Sequence, residues 1–373
     1  MLELERARSR PIQFKGEEYV RIGSYKKRLK DFPEVERKLW LSFDTRPFEG
    51  QVAADGFDEG DVLKVLDYPV YFEMLGLALP ENRNGILDRL VADRMIVRSD
   101  KGGWSVLNLG AILFAKSLSQ FKHLQRKSVR VIVYKGSSRI ETIREQEGAK
   151  GYAAGFEGLI GFIDNLLPRN EIIGKALRRD VPVYPELAVR ELVANSIIHQ
   201  DFSARGTGPM IELFSDRMEI TNPGAPLVET QRFLDYPPKS RNEALASFLR
   251  RVGVCEERGS GFDKVVHMTE VYQLPAPEVV VYEEHTKVIL YAYKPLKQMS
   301  KEERVRACYL HACLRAVNGG KISNASLRER FGIESKDASL SSRIIKDTIE
   351  AGLIKPFAPD TAPRYMSYLP YWA

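Results

Sequence analysis

The sequence has few cysteines, no long apolar run and no large net charge, and each shortage excludes a class of protein. Cys255, Cys308 and Cys313 form no CxxC pair and are too few for a disulfide framework. The first residues are charged, and no apolar run is long enough to cross a membrane. We therefore expect a cytoplasmic protein with buried thiols, without a signal peptide and with no membrane association.

The overall composition is that of a soluble globular protein with more than one domain. The chain has 373 residues, of which 44% are hydrophobic and 28% charged, so two or three domains are expected. The formal net charge is +6, which permits nucleic-acid binding without arguing for it. The excess lies at the ends, because residues 1–38 and 301–373 each contain more Lys and Arg than Asp and Glu.

The first third of the chain predicts a short N-terminal piece and a helical unit. A strand is predicted at 18–22, and one short strand cannot bury its apolar side alone. Helices at 58–66 and 84–93 precede a hairpin of strands 95–98 and 104–107. Helices followed by a hairpin are typical of a winged helix. We assign residues 1–42 to the N-terminal piece and 43–126 to the helical unit.

The central part, 127–297, predicts an α/β sandwich within an α+β fold. Antiparallel strands with helices on one face form such a sandwich. The predicted strands are 129–134, 210–214, 218–221, 279–282 and 287–293. The predicted helices are 152–167, 185–199, 243–252 and 262–272.

The C-terminal part, 298–373, predicts a second winged helix. Three helices precede two strands, and the third helix presents polar and basic residues. Such a unit binds double-stranded DNA by phosphate and groove contacts, although a dimerisation or docking role is left open. The side chains predicted to contact DNA are Arg328, Arg330, Lys336, Ser342, Arg343, Lys346 and Arg364.

Residues for nucleotide chemistry occur in the central part. Glu191 and Asn195 are four residues apart and lie on one side of a predicted helix. The carboxylate could activate a water, and the amide oxygen suits Mg²⁺. Gly259 and Gly261 let the backbone approach a phosphate at the start of the next helix. Each feature alone is weak, since a Glu–Asn pair is usually a solvated helix face.

Four motifs in order resemble a known family. They are RELVANS at 190–196 with HQDF at 199–202, SDRMEITNPG at 215–224, SRNE at 240–243 and ERGSG at 257–261. Together they resemble the divergent GHKL-type ATPase domain of bacterial transcriptional regulators. Many members carry a Schlafen-like AlbA domain before it and a winged helix after it. The resemblance covers roughly residues 40–295 and implies that 1–42 is the remnant of an AlbA-like domain.

The resemblance implies a role for each matching residue. Glu191 corresponds to the general base and Asn195 to the Mg²⁺ ligand, and the segment 225–257 corresponds to the nucleotide lid. The other residues that the resemblance places at the nucleotide are His199, Asp201, Asn222, Gly224, Arg241, Asn242, Arg258, Gly259, Ser260 and Gly261. Two motifs depart from the family. Asn222 replaces an Asp that accepts a hydrogen bond from adenine, and Gln200 replaces an Arg.

The sequence thus predicts a transcriptional regulator in which ATP and Mg²⁺ at the GHKL-like site modulate DNA binding or dimerisation by the winged helix. Because the adenine motif is altered, ATP hydrolysis is left open, and so is a homodimer. Two alternatives remain. One is a degenerate GHKL scaffold that binds partners without nucleotide, and the other is an ATPase subunit of a defence system.

Overall fold

The structure, a computed structural model, describes residues 10–43, 47–173, 178–255, 261–362 and 365–373. The chain forms two compact units, Met1–Gln51 and Val52–Ala373. Each unit is described by itself below.

The first unit contains a small antiparallel sheet and one helix. Its elements are β1 (Gln13–Phe14), β2 (Glu17–Ile22), β3 (Tyr25–Arg28) and α1 (Pro33–Phe43). The predicted strand at 18–22 is confirmed as β2. The basic segment that follows it was not predicted as a strand. It pairs with β2 because the chain reverses at Gly23, whose φ of +59° suits glycine.

The second unit begins with a three-stranded sheet and four short helices. The elements are β4 (Val52–Phe57), α2 (Glu59–Val65), α3 (Tyr68–Met74), α4 (Arg83–Ala92), β5 (Ile96–Arg98), β6 (Trp104–Leu107) and α5 (Asn108–Phe114). Both predicted helices and the predicted hairpin are confirmed, and Asp58 caps α2 by accepting from the Asp61 amide at 2.7 Å. Strand β4 and helix α3 were not predicted.

The central part of the second unit contains a six-stranded sheet and four helices. The elements are β7 (Arg130–Tyr134), β8 (Thr142–Glu147), α6 (Tyr152–Leu166), β9 (Arg169–Ile173), β10 (Arg178–Pro182), α7 (Glu186–Ile198), β11 (Met210–Leu213), β12 (Arg217–Pro223), α8 (Glu243–Arg251), α9 (Gly261–Val271), β13 (Glu278–Val281) and β14 (His285–Tyr291). The sheet order is β13-β14-β12-β11-β7-β8. All neighbours are antiparallel except β11 and β7, which run parallel.

The two faces of this sheet have different chemistry because side chains alternate along each strand. One face carries buried apolar residues such as Ile211 and Ile220, which pair across β11 and β12. The other face carries Glu212 and Glu219, both buried. Arg139 contacts both carboxylates at 2.7 and 2.8 Å. The apolar face is therefore the one that packs on helices and bounds the cavity described below.

The second unit ends with three helices and a two-stranded hairpin. They are α10 (Lys301–Val317), α11 (Asn324–Phe331), α12 (Ala338–Glu350), β15 (Ile354–Pro356) and β16 (Tyr368–Pro370). Helix α10 begins with a capping box, in which Ser300 and Glu303 each accept from the other's backbone amide. The predicted helices and strands are present, and the winged-helix interpretation stays a prediction.

The fold class is α+β, as predicted. In the described part of the chain, no helix has both the length and the apolar composition needed to cross a membrane.

Candidate functional site

A cavity of about 200 Å³ lies beside α7 and α9 at the apolar face of the six-stranded sheet. Ile220 of β12 and Val288 of β14 contribute to its lining. The structure brings six of the predicted site residues to its wall: Glu191, Asn195, His199, Asn222, Gly224 and Gly261. Residues far apart in the sequence thus meet at one place.

Gly261, Glu191 and Asn195 form the tightest contact in the cavity. A Cβ atom on Gly261 would lie 2.7 Å from Glu191 Oε2 and 3.5 Å from Asn195 Nδ2. Only glycine lets α9 begin this close to α7 without displacing the carboxylate. Glu191 is buried and Asn195 is half-buried. The i, i+4 spacing therefore places both polar groups on the side of α7 that faces the cavity.

Cys255 and Arg250 are cavity residues that the sequence did not reveal. Burial raises the pKa of the Cys255 thiol to about 11, and the charge of Glu191 contributes to this rise. The thiol is therefore protonated at neutral pH and unsuited to act as a nucleophile. Arg250 and Lys239 bring positive charge to the same wall. The predicted burial of Cys308 and Cys313 is confirmed.

Asn222 and Gly224 close another side of the cavity, at the end of β12. Gly224 has a φ of +102°, and its Cβ would lie 3.1 Å from Asp201 Cβ. Its amide donates to Glu284 O at 2.6 Å, and its carbonyl accepts from Thr286 Oγ1 at 2.8 Å. Glycine is needed here for both conformation and space. Thr286 is a further lining residue that the sequence did not indicate.

The Asn222 amide has a defined orientation. Its Nδ2 donates to Pro223 O at 3.1 Å, so Oδ1 is the side-chain atom that can accept from a ligand. The side chain is buried and lines the cavity.

His199 lines the cavity, whereas Asp201 does not. Burial lowers the pKa of His199, and the nearby charge of Arg241 lowers it further. The imidazole is therefore neutral at pH 7. Asp201 Oδ1 accepts from the amide and the hydroxyl of Ser203 at 2.8 and 2.6 Å. Asp201 thus stabilises its own loop.

Arg241 and Asn242 hold the cavity wall together and are not among its lining residues. Arg241 donates to Ala225 O at 2.7 Å and to His199 O at 3.4 Å. The buried Asn242 amide donates to Ile198 O at 2.7 Å and to Gln200 O at 2.9 Å. Both side chains therefore satisfy carbonyl groups at and after the C-terminal end of α7, and Arg241 also satisfies one at the start of the segment after β12.

A segment between β12 and α8 covers the cavity, and we call residues 225–240 the covering segment. Its contribution to the lining is largely apolar and aromatic, from Ala225, Pro226, Leu227, Val228, Phe233, Tyr236, Pro237, Pro238, Lys239 and Ser240. Phe233 packs edge-to-face on Phe262 of α9 with ring centroids 5.4 Å apart. The cavity thus joins a polar end at Glu191 and Asn195 to an apolar enclosure.

Arg258, Gly259, Ser260 and Arg364 lie outside the described residues. Of the other residues predicted to contact DNA, Arg330 is buried and donates to Leu274 O at 2.8 Å. Its Nε lies 3.4 Å from Glu270. Arg330 therefore joins α11 to the central part and cannot reach a phosphate.

The remaining described residues that were predicted to contact DNA are exposed or half-buried. Arg343 and Lys346 are exposed on α12, and Lys336 precedes that helix. Arg328 donates to Ser335 Oγ at 2.9 Å and Ser342 accepts from Asn324 at 2.9 Å, so these two side chains also bond within the unit.

Comparison with known proteins supports an ATPase-like region in the central part. A family model described as "Putative ATP-dependent DNA helicase recG C-terminal" matches residues 206–290. No protein with a curated description matches the chain. The chain resembles the crystal structure of the DIP2311 protein from Corynebacterium diphtheriae with a TM-score of 0.55 and 14% sequence identity. That match covers 95% of this chain and 70% of the other, and at this identity it concerns the fold alone.

Proposed function

We propose that this chain binds ATP with Mg²⁺ in the cavity beside α7 and α9, in the manner of a GHKL-type ATPase domain. The observation that carries the proposal is the contact of Gly261 with Glu191 and Asn195 at the wall of an open cavity. The family match over 206–290 supports it, because that range includes β11, β12, α8, α9 and the covering segment.

The side chains present fit a magnesium nucleotide. Asn195 offers an amide oxygen, and Mg²⁺ in nucleotide sites takes one or two protein ligands plus phosphate and water. No cluster of three or more His, Cys, Asp or Glu suited to a metal occurs among the described residues, and such a site does not need one. Bound Mg²⁺ would supply charge neutralisation at the phosphates. Lys239 and Arg250 would add positive charge at the same wall.

The apolar part of the cavity suits a purine base. Phe233, Tyr236 and Leu227 provide apolar surface, and Asn222 Oδ1 and Thr286 provide polar groups beside it. An amide oxygen accepts a hydrogen bond from an exocyclic amino group, although more weakly than a carboxylate does. The replacement of Asp by Asn at 222 therefore weakens base recognition without removing it.

Glu191 is the residue we assign to proton transfer if ATP is hydrolysed. Its carboxylate lies beside Asn195, and it would accept a proton from a water that attacks the terminal phosphate. The raised pKa keeps the Cys255 thiol protonated, so it does not compete as a base.

The proposed link to DNA runs from the covering segment to the C-terminal helices. Tyr309 of α10 donates to Gln231 O at 2.6 Å. The Arg232 guanidinium lies 5.7 Å from the Trp372 ring centroid and also pairs with Asp235. Because Phe233 lines the cavity, a nucleotide that moves the covering segment would change these contacts. We propose that the exposed basic residues of α12 bind double-stranded DNA and respond to this change.

The alternative of a degenerate scaffold is less well supported. A site that has lost nucleotide binding is expected to be filled by side chains, whereas here about 200 Å³ is open beside Glu191 and Asn195. No observation on the described residues favours a defence-system ATPase over a regulator.

Calorimetric titration of the whole chain with ATP and MgCl₂ tests the proposal. We expect binding that Glu191→Ala weakens and Asn195→Ala makes insensitive to Mg²⁺. Glu186→Ala and Asn84→Ala are matched controls, since both side chains are exposed on helices and neither lines the cavity. Absence of binding by the intact chain, or equal affinity in all five proteins, would refute the nucleotide assignment.

The DNA assignment needs its own titration. A labelled 20-base-pair duplex followed by fluorescence anisotropy should bind more weakly as salt rises. Arg343→Ala with Lys346→Ala should reduce both the affinity and the salt dependence, because two phosphate contacts are lost. Unchanged binding in that double variant would exclude α12 as the DNA-binding helix.

A further inference from the structure

A second cavity, of about 610 Å³, shares Phe262 with the first one. Its walls are formed by α10, the C-terminal end of α12, the start of β13 and the residues Thr230 and Gln231 of the covering segment. None of the predicted site residues lines it, so the proposed nucleotide site leaves it unexplained.

One wall of this cavity is the edge of the six-stranded sheet. Strand β13 is the last strand in the sheet and pairs only with β14 in the part of the chain that the structure describes. Glu278 and Val279 of β13 line the cavity. Alternate residues of an edge strand direct their N–H and C=O groups away from the sheet. Tyr282 N donates to His285 O, so the alternation leaves Val279 and Val281 with backbone groups directed away from β14, and the described residues place no hydrogen bond on those groups. This edge can therefore accept another strand.

The polar residues of the cavity are mainly acidic, in a chain whose net charge is +6. Four carboxylates and two cations line it: Glu278, Glu302, Asp347, Glu350, Lys301 and Arg306. Lys301 pairs with Asp347 at 2.9 Å and Arg306 with Glu278 at 3.4 Å. The four carboxylates outnumber the two cations by two, and Glu350 also lies 3.8 Å from Lys346 of α12. The remaining excess of negative charge favours a basic ligand and disfavours nucleic acid.

The floor of the cavity is apolar. Its apolar lining comes from Phe262, Pro277, Val279, Val305, Leu310, Ala351 and Leu353. A strand that pairs with β13 alternates its side chains between two faces. One set can cover this floor, and the other can reach the carboxylates of Glu302 and Glu350.

We propose that the second cavity binds an extended segment of a partner protein, in which apolar and basic residues alternate, as an added strand on β13. The main chain of the segment would supply affinity through the sheet edge, and its Lys or Arg side chains would supply selectivity through the acidic residues. This inference does not depend on nucleotide binding. Phe262 lines both cavities, and the covering segment contributes Thr230 and Gln231 to the second and Phe233 to the first, so we expect each ligand to alter the affinity of the other.

The test uses a fluorescein-labelled Lys-Val-Lys-Val-Lys-Val peptide and the whole chain without nucleotide. We expect saturable binding by fluorescence anisotropy. Glu302→Lys with Glu350→Lys should weaken it about tenfold, given the modest strength of each exposed charge pair. Glu329→Lys with Glu81→Lys is the matched control, because both carboxylates are exposed and lie outside the cavity. Circular dichroism melting of each variant confirms that it is folded.

A second measurement tests the strand addition itself. Hydrogen exchange of the 278–281 amides should slow when the peptide binds. A peptide methylated on alternate backbone nitrogens keeps its charges but loses half of its donors, and it should bind much more weakly.

Three outcomes would overturn the proposal. They are no binding up to ~1 mM peptide, equal binding of Glu-Val-Glu-Val-Glu-Val, and an affinity unchanged by the Glu302 and Glu350 reversals. Concentration-dependent dimerisation that those reversals abolish would identify a second copy of the chain as the occupant instead. Because no nucleotide is present, failure here leaves the ATP proposal intact, and the reverse also holds.

Discussion

Gly261→Ala tests the geometry of the proposed nucleotide site with a single methyl group. The new Cβ would lie 2.7 Å from Glu191 Oε2, and ordinary contact begins near 3.4 Å, so the carboxylate or α9 must move by about 0.7 Å. Glu191 is buried, which limits how far its side chain can turn away. We therefore expect this substitution to disturb the site without unfolding the protein.

The expected change in the stability of Gly261→Ala follows from two opposing effects. Gly-to-Ala in a helix interior stabilises by about 1 kcal/mol, but Gly261 is the first residue of α9 and gains less. Overpacking of a buried contact costs about 1–3 kcal/mol, so the net change is a loss of roughly 1–2 kcal/mol. A displacement of this size at a binding group is expected to lower ATP affinity by about tenfold or more.

Gly158→Ala is the matched control, because Gly158 lies on helix α6 with no atom within 4 Å of its Cβ position. It should stabilise the protein by about 0.5–1 kcal/mol and leave ATP affinity unchanged. Urea unfolding gives the stabilities, and calorimetry with ATP and MgCl₂ gives the affinities. If Gly261→Ala binds ATP as tightly as the parent protein, the contact with Glu191 is not part of the nucleotide site.

Two further predictions concern a buried carboxyl group and the link to the C-terminal helices. Burial raises the pKa of Asp263 to about 6, above its ordinary 3.8, so ionisation destabilises the fold increasingly as pH rises from about 4 to 6. Asp263→Asn should therefore increase the free energy of unfolding at pH 8 by about 1–2 kcal/mol, and with it the melting temperature, but should change neither at pH 4. Equal shifts of the melting temperature at both pH values would contradict this. If nucleotide moves the covering segment, ATP with Mg²⁺ should change tryptophan emission, and Trp372→Phe but not Trp40→Phe should remove that change. A signal that survives in Trp372→Phe would place the response elsewhere.

The helices that were predicted well from the sequence are marked by capping residues close to them in the chain. Helices α2 and α10 begin at Asp58 and Ser300, whose side chains accept from backbone amides three residues on. Strand β8 has no such signal, because all six of its residues are exposed and no alternation marks it. It forms because β7 offers an edge with which it can pair.

Part of the candidate site was predictable from local spacing, and the ordered motifs supplied His199, Asn222, Gly224 and Gly261, which also line the cavity. Glu191 and Asn195 face the cavity because they are one turn apart on α7. The resemblance places Asn242 at the nucleotide, and in the structure its amide satisfies two backbone carbonyl groups. Arg330 was assigned to DNA because it is charged, yet it is buried against Glu270. A sequence shows that a side chain is polar, but tertiary packing decides which acceptor it meets.

The attachment of α8 limits how the proposed nucleotide site can open. Arg251 contacts Asp93 at 2.5 Å, and Phe248 packs against Tyr71 and Phe114 from the first part of the same unit. Asn242 fixes the start of the same helix to the end of α7. Residues 242–251 of the predicted lid, 225–257, are therefore anchored. Exchange of a ligand would require a hinge within residues 225–241 only, a loop-scale fluctuation on a faster timescale than a rotation of whole domains.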